Sequence, residues 1–244
     1  MNKTIKLAGI PIEIHTLFDS LFRAEEYETD EAPVFSVRTT QRDIMAEREK
    51  SMAEAVYEGI VYPNYSPAQL ENTAVYRKIA DRLPEYDGLV FHGSAVAVGE
   101  RAYLFSAKSG TGKTTHTRLW LQNIKDSYVV NGDKPILRIM DGKPFVCGTP
   151  WMGKEGYGCN RNVPLSAICI LHRGAENHIE KTDFAKVYLR LIGQAYRPEN
   201  GALVVKTIKL LERLGQLVPI YELFCNMENT AAFVSFGGMT DASF

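Results

Sequence analysis

Apolar and polar residues alternate through Ile5, Leu7, Ile10, Ile12 and Ile14, the period of strands that bury one face, with Gly9 as the turn between a pair. "PVFSVRTT" is a second β-rich run, and "LFDSLFRAEEYE" and "RDIMAEREKSMAEA" have helical composition. A better-marked helix starts at Ser66, which can cap it, with Pro67 in the first turn and Gln69 completing an S-x-x-Q capping box. Leu70, Ala74, Val75 or Tyr76, Ile79 and Leu83 give that helix an apolar stripe. "LPEYDG" ends it, which predicts an N-terminal α+β lobe over 1–84 and a second domain over 85–244.

Beyond the boundary, "LVFHGSAVAV" and "RAYLFSA" read as strands joined by the tight turn "GER". A glycine-rich loop follows, then a helix from near Lys113 through "HTRLWLQNI", then "SYVVNGDKP", a short apolar strand ending in polar residues. "ILRIMDGKPFVCG" carries a hairpin signal, because Asp-Gly supplies the positive φ angles of a type I′ turn. "PLSAICILHRG" reads as a buried strand, "DFAKVYLRLIGQAY" and "ALVVKTIKLLERLG" as amphipathic helices, and "PIYELFCNM" as a last strand. Val187, Leu189, Leu191 and Ile192 are assigned to core packing. Hairpins on both sides of the glycine loop predict an α/β fold whose sheet is mixed and largely antiparallel.

The loop is where the pattern acquires chemistry. "AKSGTGKT" fits [AG]-x-x-x-x-G-K-[ST], with Ala107 in place of the first glycine. Gly110 and Gly112 let the backbone of Ser109, Gly110, Thr111 and Gly112 curl so that successive amides point at one anion. Lys113 brings an ammonium to the outer phosphates, Thr114 a hydroxyl for Mg²⁺, and the helix that begins there, with Thr115 in its first turn, adds its positive dipole end. Phosphoryl transfer also needs an acidic metal partner near the end of a neighbouring strand, and "YVVNGD" offers Asp133.

Composition narrows the classes. The 244 residues are 45% hydrophobic and 23% charged, as in ordinary globular proteins, and the net charge of -1 advertises no nucleic-acid partner. No apolar stretch approaches the ~20 residues of a membrane-spanning helix, and the N-terminus lacks the unbroken apolar segment of a signal peptide. Cys147, Cys159, Cys169 and Cys225 lack zinc-site spacing and read as reduced thiols of a cytoplasmic protein.

The block "FHGSAVAVGERAYLFSAKSGTGKTTHTRLWL" followed by "YVVNGDKPILR" resembles the catalytic domain of HPr kinase/phosphorylase and, more distantly, the nucleotide-binding core of ATP-dependent phosphoenolpyruvate carboxykinase. The resemblance covers roughly residues 88–175, and "GTPWMGKEGYGCNRNVPLSAICILHRG" looks like the matching region of smaller HPr-kinase-related proteins. It implies an HPr kinase/PEP carboxykinase-like P-loop core that uses ATP and Mg²⁺. Lys113 and the amides of 109–114 would hold the triphosphate, Thr114 and Asp133 the metal, and His92 of the "HG" strand would lie near the transferred phosphate. HPr kinases also supply an arginine from a later loop, for which Arg197 and Arg161 are the candidates. Their ring-like hexamers leave a homo-oligomer open for this shorter chain.

One departure bears on activity. The family strand ends in two consecutive acids, and here Gly132 precedes Asp133. The first acid is commonly the base that takes the hydroxyl proton, help worth about 10²–10⁴-fold in rate. Phosphoryl transfer leans mainly on positioning and charge neutralisation, so its loss leaves three readings. The chain is an ATP/Mg-dependent kinase acting on a hydroxyl of a peptide, small protein or small metabolite; or a catalytically weakened nucleotide-binding regulator; or, ranked last, a carboxykinase-like enzyme. Of the remaining residues, His116 reads as a helix-surface histidine, His172 with Arg173 as a strand terminus, and Trp151, Lys154 and Glu155 as part of either a substrate-covering loop or a plain surface turn.

Overall fold

The computed structural model describes residues 1–21, 23–108 and 110–240. Within it the chain divides into two compact units, Met1–Arg82 and Leu83–Phe244.

In the first unit, β1 (Asn2–Leu7) and β2 (Ile10–His15) form an antiparallel hairpin, and β3 (Phe35–Arg38) joins β2 in parallel. The hairpin turn needs left-handed backbone at both central residues, and Ala8 (φ 50°) and Gly9 (φ 78°) supply it. The alternating isoleucines are buried, as are Ile44 of α1 (Gln41–Glu58) and Leu70, Ala74 and Ile79 of α2 (Pro67–Arg82). The capping box forms as its spacing predicts: the Ser66 amide donates to Gln69 Oε1, and the Gln69 amide to Ser66 Oγ. Glu71, fully buried, accepts from the amides of Leu17 and Phe18 and from Thr39 Oγ1, so its charge is satisfied by three donors. The helix expected over "LFDSLFRAEEYE" is absent from its described residues, which contain only a 3-10 turn at Ala24–Glu26; Phe22 lies outside them. The apolar residues of that stretch lack a continuous stripe, and the Glu71 bonds tie its start into a loop.

The second unit is a mixed α/β layer structure. Its strands are β4 (Gly88–Val90), β5 (Ser94–Val98), β6 (Arg101–Ser106), β7 (Ser127–Asn131), β8 (Ile136–Met140), β9 (Lys143–Cys147), β10 (Asn162–Arg173), β11 (His178–Thr182) and β12 (Ile220–Cys225). The sheet runs β4-β8-β9-β10-β6-β5-β7, with β12 on β10 and β11 on β12. Strands β6, β10 and β12 are parallel, and the other pairings are antiparallel. One edge of β10 lies on β6, while the other carries β9 at Asn162–Pro164 and β12 from Ile168 onward. This branching curls the sheet. The expected run "LVFHGSAVAV" is broken into β4 and β5 at His92, because each half pairs with a different neighbour.

Helices cover both faces. On one side α4 (Phe184–Ile192) and α5 (Gly201–Leu217) bury Val187, Leu191, Leu210 and Leu214 against Leu104, Ile168, Ile170 and Ile220. Leu189, expected in the core, is instead 79% exposed, because α4 turns only its Val187–Leu191 stripe inward. On the other side α3 (Lys113–Asn123) and α6 (Thr230–Thr240) pack Leu119, Trp120, Ala231 and Ala232 on Tyr103, Phe105 and Leu223. All four cysteines are free thiols. Among the described residues no helix is long and apolar enough to cross a membrane.

Candidate functional site

Strand β5 lies antiparallel to both β6 and β7, so β6 and β7 point the same way. Their C-terminal ends, carrying the glycine loop and the segment Asn131–Asp133, therefore open on one edge of the sheet, where α/β proteins collect their ligands.

On the β6 side, Gly110 (φ 75°) and Gly112 (φ 125°) hold backbone that L side chains rarely adopt, and a Cβ at either would point into open space. Gly112 is the N-cap of α3 and offers no side-chain cap, so the first-turn amides are left for another acceptor. The Thr111 amide donates to Lys108 O (3.2 Å), and Lys113 Nζ donates to Ala107 O (3.0 Å). Thr114 is exposed on the same turn, and Thr115 is partly buried. Ser109 lies outside the described residues. Lys113 is half-buried: burial pushes its pKa below the usual lysine range, Asp133 opposes that shift, and Lys134 adds to it. Lys113 and Asp133 thus feel each other across the β6–β5–β7 edge.

On the β7 side, the fully buried Asn131 organises the turn. Its Oδ1 accepts from the amides of Asp133 (2.9 Å) and Lys134 (2.7 Å), while Nδ2 donates to Thr149 Oγ1 (2.9 Å) and Thr149 O (3.1 Å). Asp133 sits 3.4 Å from His92 Nε2 through Oδ1 and 2.5 Å from Lys134 Nζ through Oδ2. Burial pushes its carboxyl up, but His92 and Lys134 outweigh that and hold it well below the usual carboxylate range. His92 is fixed by its flanks: the Phe91 amide donates to Pro135 O, the His92 amide to Gln194 O, and the Gly93 amide to Asp133 O. Gly93 is itself required, since a Cβ there would lie 3.0 Å from Phe105 O and 3.1 Å from Leu104 Cδ1.

The loop 148–158 crosses the β7 end. Gly132 donates to Tyr157 O, Cys159 to Val130 O, and Asn131 bridges Gly158. A Cβ on Gly153 would stand 2.9 Å from Asp133 Cβ, so this loop rests directly on the carboxylate. Trp151 and Met152 are buried as its anchors, and Glu155 reaches Arg118 of α3 at 2.6 Å. It is neither a free lid nor a detached turn.

The structure thus gathers Gly110, Thr111, Gly112, Lys113, Thr114, Thr115, Asp133 and His92 on one edge. Arg197 follows Tyr196, whose amide donates to Val90 O beside His92, and its side chain is exposed. Arg161 stands instead 3.3 Å from Glu100 and over the Tyr128 ring, at the turn that enters β6 and so at the strand's far end from the loop. His116 is corrected from a surface residue to a buried one, 2% exposed. Three residues were missed. Lys134 is adjacent to Asp133 in sequence and could have been read as its neighbour. Asn131 carries the Asx-turn signal "NGD". Arg173, taken for a strand terminus, donates from Nη2 to Gly110 O at 2.6 Å, a contact that only strand order reveals.

Among the described residues no group of three or more His, Cys, Asp or Glu side chains could hold a metal. A hard cation at Asp133 would therefore draw most of its oxygens from a bound phosphate and from water, as magnesium commonly does.

No family model matches the sequence, and no curated protein matches it. Matches among solved structures include the Hpr(Ser) kinase/phosphatase from Coxiella burnetii, at 11% identity over 52% of this chain and 92% of that chain, with a TM-score of 0.30. A match at that level carries neither fold nor activity across.

Proposed function

We propose that the protein binds ATP with Mg²⁺ through a P-loop core of the HPr-kinase-like class and transfers the γ-phosphoryl group to a hydroxyl of a peptide, small protein or small metabolite. The supporting observation is the convergence, on one sheet edge, of an uncapped helix N-terminus behind two left-handed glycines with the Lys113 ammonium and the His92–Asp133 pair.

The residues fit the ligands. Gly110 and Gly112 leave open the space a Cβ would occupy, and the amides that begin α3 are available to phosphate oxygens. Lys113 has three donors and spends one on Ala107 O, leaving two for the outer phosphates. Thr114 and Asp133 would supply the protein oxygens for magnesium, which would offset phosphate charge when bound. Asp133, held by His92 and Lys134 well below the usual carboxylate range, stays ionised at neutral pH and is a poor base. The imidazole of His92, held against Asp133 Oδ1, is the group suited to taking the acceptor's proton.

A second reading, a nucleotide-binding regulator, is favoured by one observation: Gly132 carries no acid, and its space is filled by the carbonyls of Met152 and Tyr157. Two measurements decide. Calorimetric titration of ATP-Mg should give binding in the wild type and about 10–100-fold weaker binding in Lys113→Ala, the loss expected for charge-assisted contacts; equal affinity would sink the phosphate-binding reading. Incubation with γ-labelled ATP should then move label to peptide-hydroxyl or small-molecule acceptors. Tight binding without transfer would establish the regulator.

A further inference from the structure

We propose that Arg173 is a positioning residue that holds the glycine loop in its anion-binding shape from outside, an inference that rests on the nucleotide-binding reading above. Strand β10 is parallel to β6, register Leu165 with Ala102 through Ile170 with Ser106, so its last residue emerges beside the loop that follows β6. Arg173 is that residue, and its Nη2 donates to the carbonyl of Gly110 at 2.6 Å. Gly110 is the first of the two left-handed residues, so its carbonyl orientation helps set where the following amides point.

The base of this latch is stiff. Arg173 pairs with Cys225 of β12, and the next amide, Gly174, donates to Cys225 O at 2.9 Å. A Cβ at Gly174 would lie 3.0 Å from Glu176 O and 3.2 Å from Phe224 Cβ, so the strand end has little room to shift. Two other loop carbonyls are also engaged, Ala107 O by Lys113 Nζ and Lys108 O by the Thr111 amide. The Lys113 bond draws on the same ammonium that serves the phosphates. The Arg173 bond comes from another strand. It fixes the loop without competing for the ligand.

A residue acting through loop shape should affect ATP and ADP alike, whereas one touching the terminal phosphate should affect ATP alone. The test compares wild type, Arg173→Gln and Arg173→Lys in the full chain. Loop-amide hydrogen exchange is measured without nucleotide, ATP-Mg and ADP-Mg titrations follow, and a melting curve controls for folding. Arg173→Gln should raise exchange in the peptide carrying Gly110 about ten-fold, the scale of one charge-assisted hydrogen bond, and weaken both nucleotides by a similar factor, with Arg173→Lys in between. Unchanged exchange overturns the latch, and so does a loss confined to ATP. If the wild type binds neither nucleotide, the proposed function falls, while the exchange comparison still decides whether Arg173 holds the loop.

Discussion

A Cβ added at Gly132 would lie 3.1 Å from the carbonyl oxygen of Met152 and 3.3 Å from that of Tyr157. Both contacts are tight, and both are with acceptors. A carboxylate carried there would start from a Cβ crowded by two carbonyl oxygens, beside the already ionised Asp133. Gly132→Asp should therefore cost roughly 1–3 kcal/mol of stability, through steric crowding and a like charge placed beside Asp133, and should lower phosphoryl transfer rather than raise it. Denaturant unfolding and label transfer on the same preparation test this; a variant as stable as wild type and more active would refute it. In the sequence, Gly132 reads as a lost acid next to a retained one. That it is also the seat of the loop 148–158 depends on residues far along the chain meeting β7, which no local pattern encodes. The placement of Lys113, Gly110 and Gly112 was legible because it is local: a strand, a tight turn and a helix start. Arg173 was not, since its contact with Gly110 follows from the parallel pairing of β10 with β6.

Among elements, those with a clean period appeared where the sequence placed them: the first hairpin, α2 with its capping box, the Asp141-Gly142 hairpin with both residues at positive φ, and the paired amphipathic helices α4 and α5. Helix α6 was invisible. It contains Gly237 and Gly238, which weaken a helix by propensity, yet Gly238 is where a Cβ would fall 2.3 Å from Ile179 Cγ2, so tertiary packing overrides propensity. Its joint with α3 is polar at the centre. Ser235 Oγ accepts from Trp120 Nε1 (2.8 Å), donates to Ala232 O (2.9 Å) and meets His116 Nε2 at 3.1 Å. Burial pushes His116 down from 6.5 to about 4, so it is neutral in the folded protein across that interval, while the unfolded chain takes up a proton. Stability from this group is complete above about pH 6.5 and falls by roughly 3 kcal/mol as pH drops toward 4. Urea midpoints between pH 7.5 and 4.5 should show this slope, and His116→Gln should remove most of it. An equally steep slope in the variant would assign the effect to other groups.

At the scale of the whole molecule, every residue assigned to the candidate site belongs to the unit Leu83–Phe244, whose two hydrophobic clusters lie within it, and Met1–Arg82 buries apolar residues of its own, the alternating isoleucines with Ile44, Leu70 and Ile79. Two cores allow two unfolding transitions, and a ligand stabilises only the one whose folded form binds it. ATP-Mg at about 100 times its dissociation constant should add about 2.7 kcal/mol to the second unit. For a domain of that size this is an upward shift of roughly 5–10 °C in its midpoint. The transition of the first unit should stay where it is. Scanning calorimetry with and without nucleotide, run on the wild type and on Lys113→Ala, reads both transitions in one experiment. A shift of the second transition in the wild type alone places binding on the sheet edge between the glycine loop and Asp133. A shift of the first transition, or an equal shift in Lys113→Ala, would mean that nucleotide is held by residues other than those gathered there.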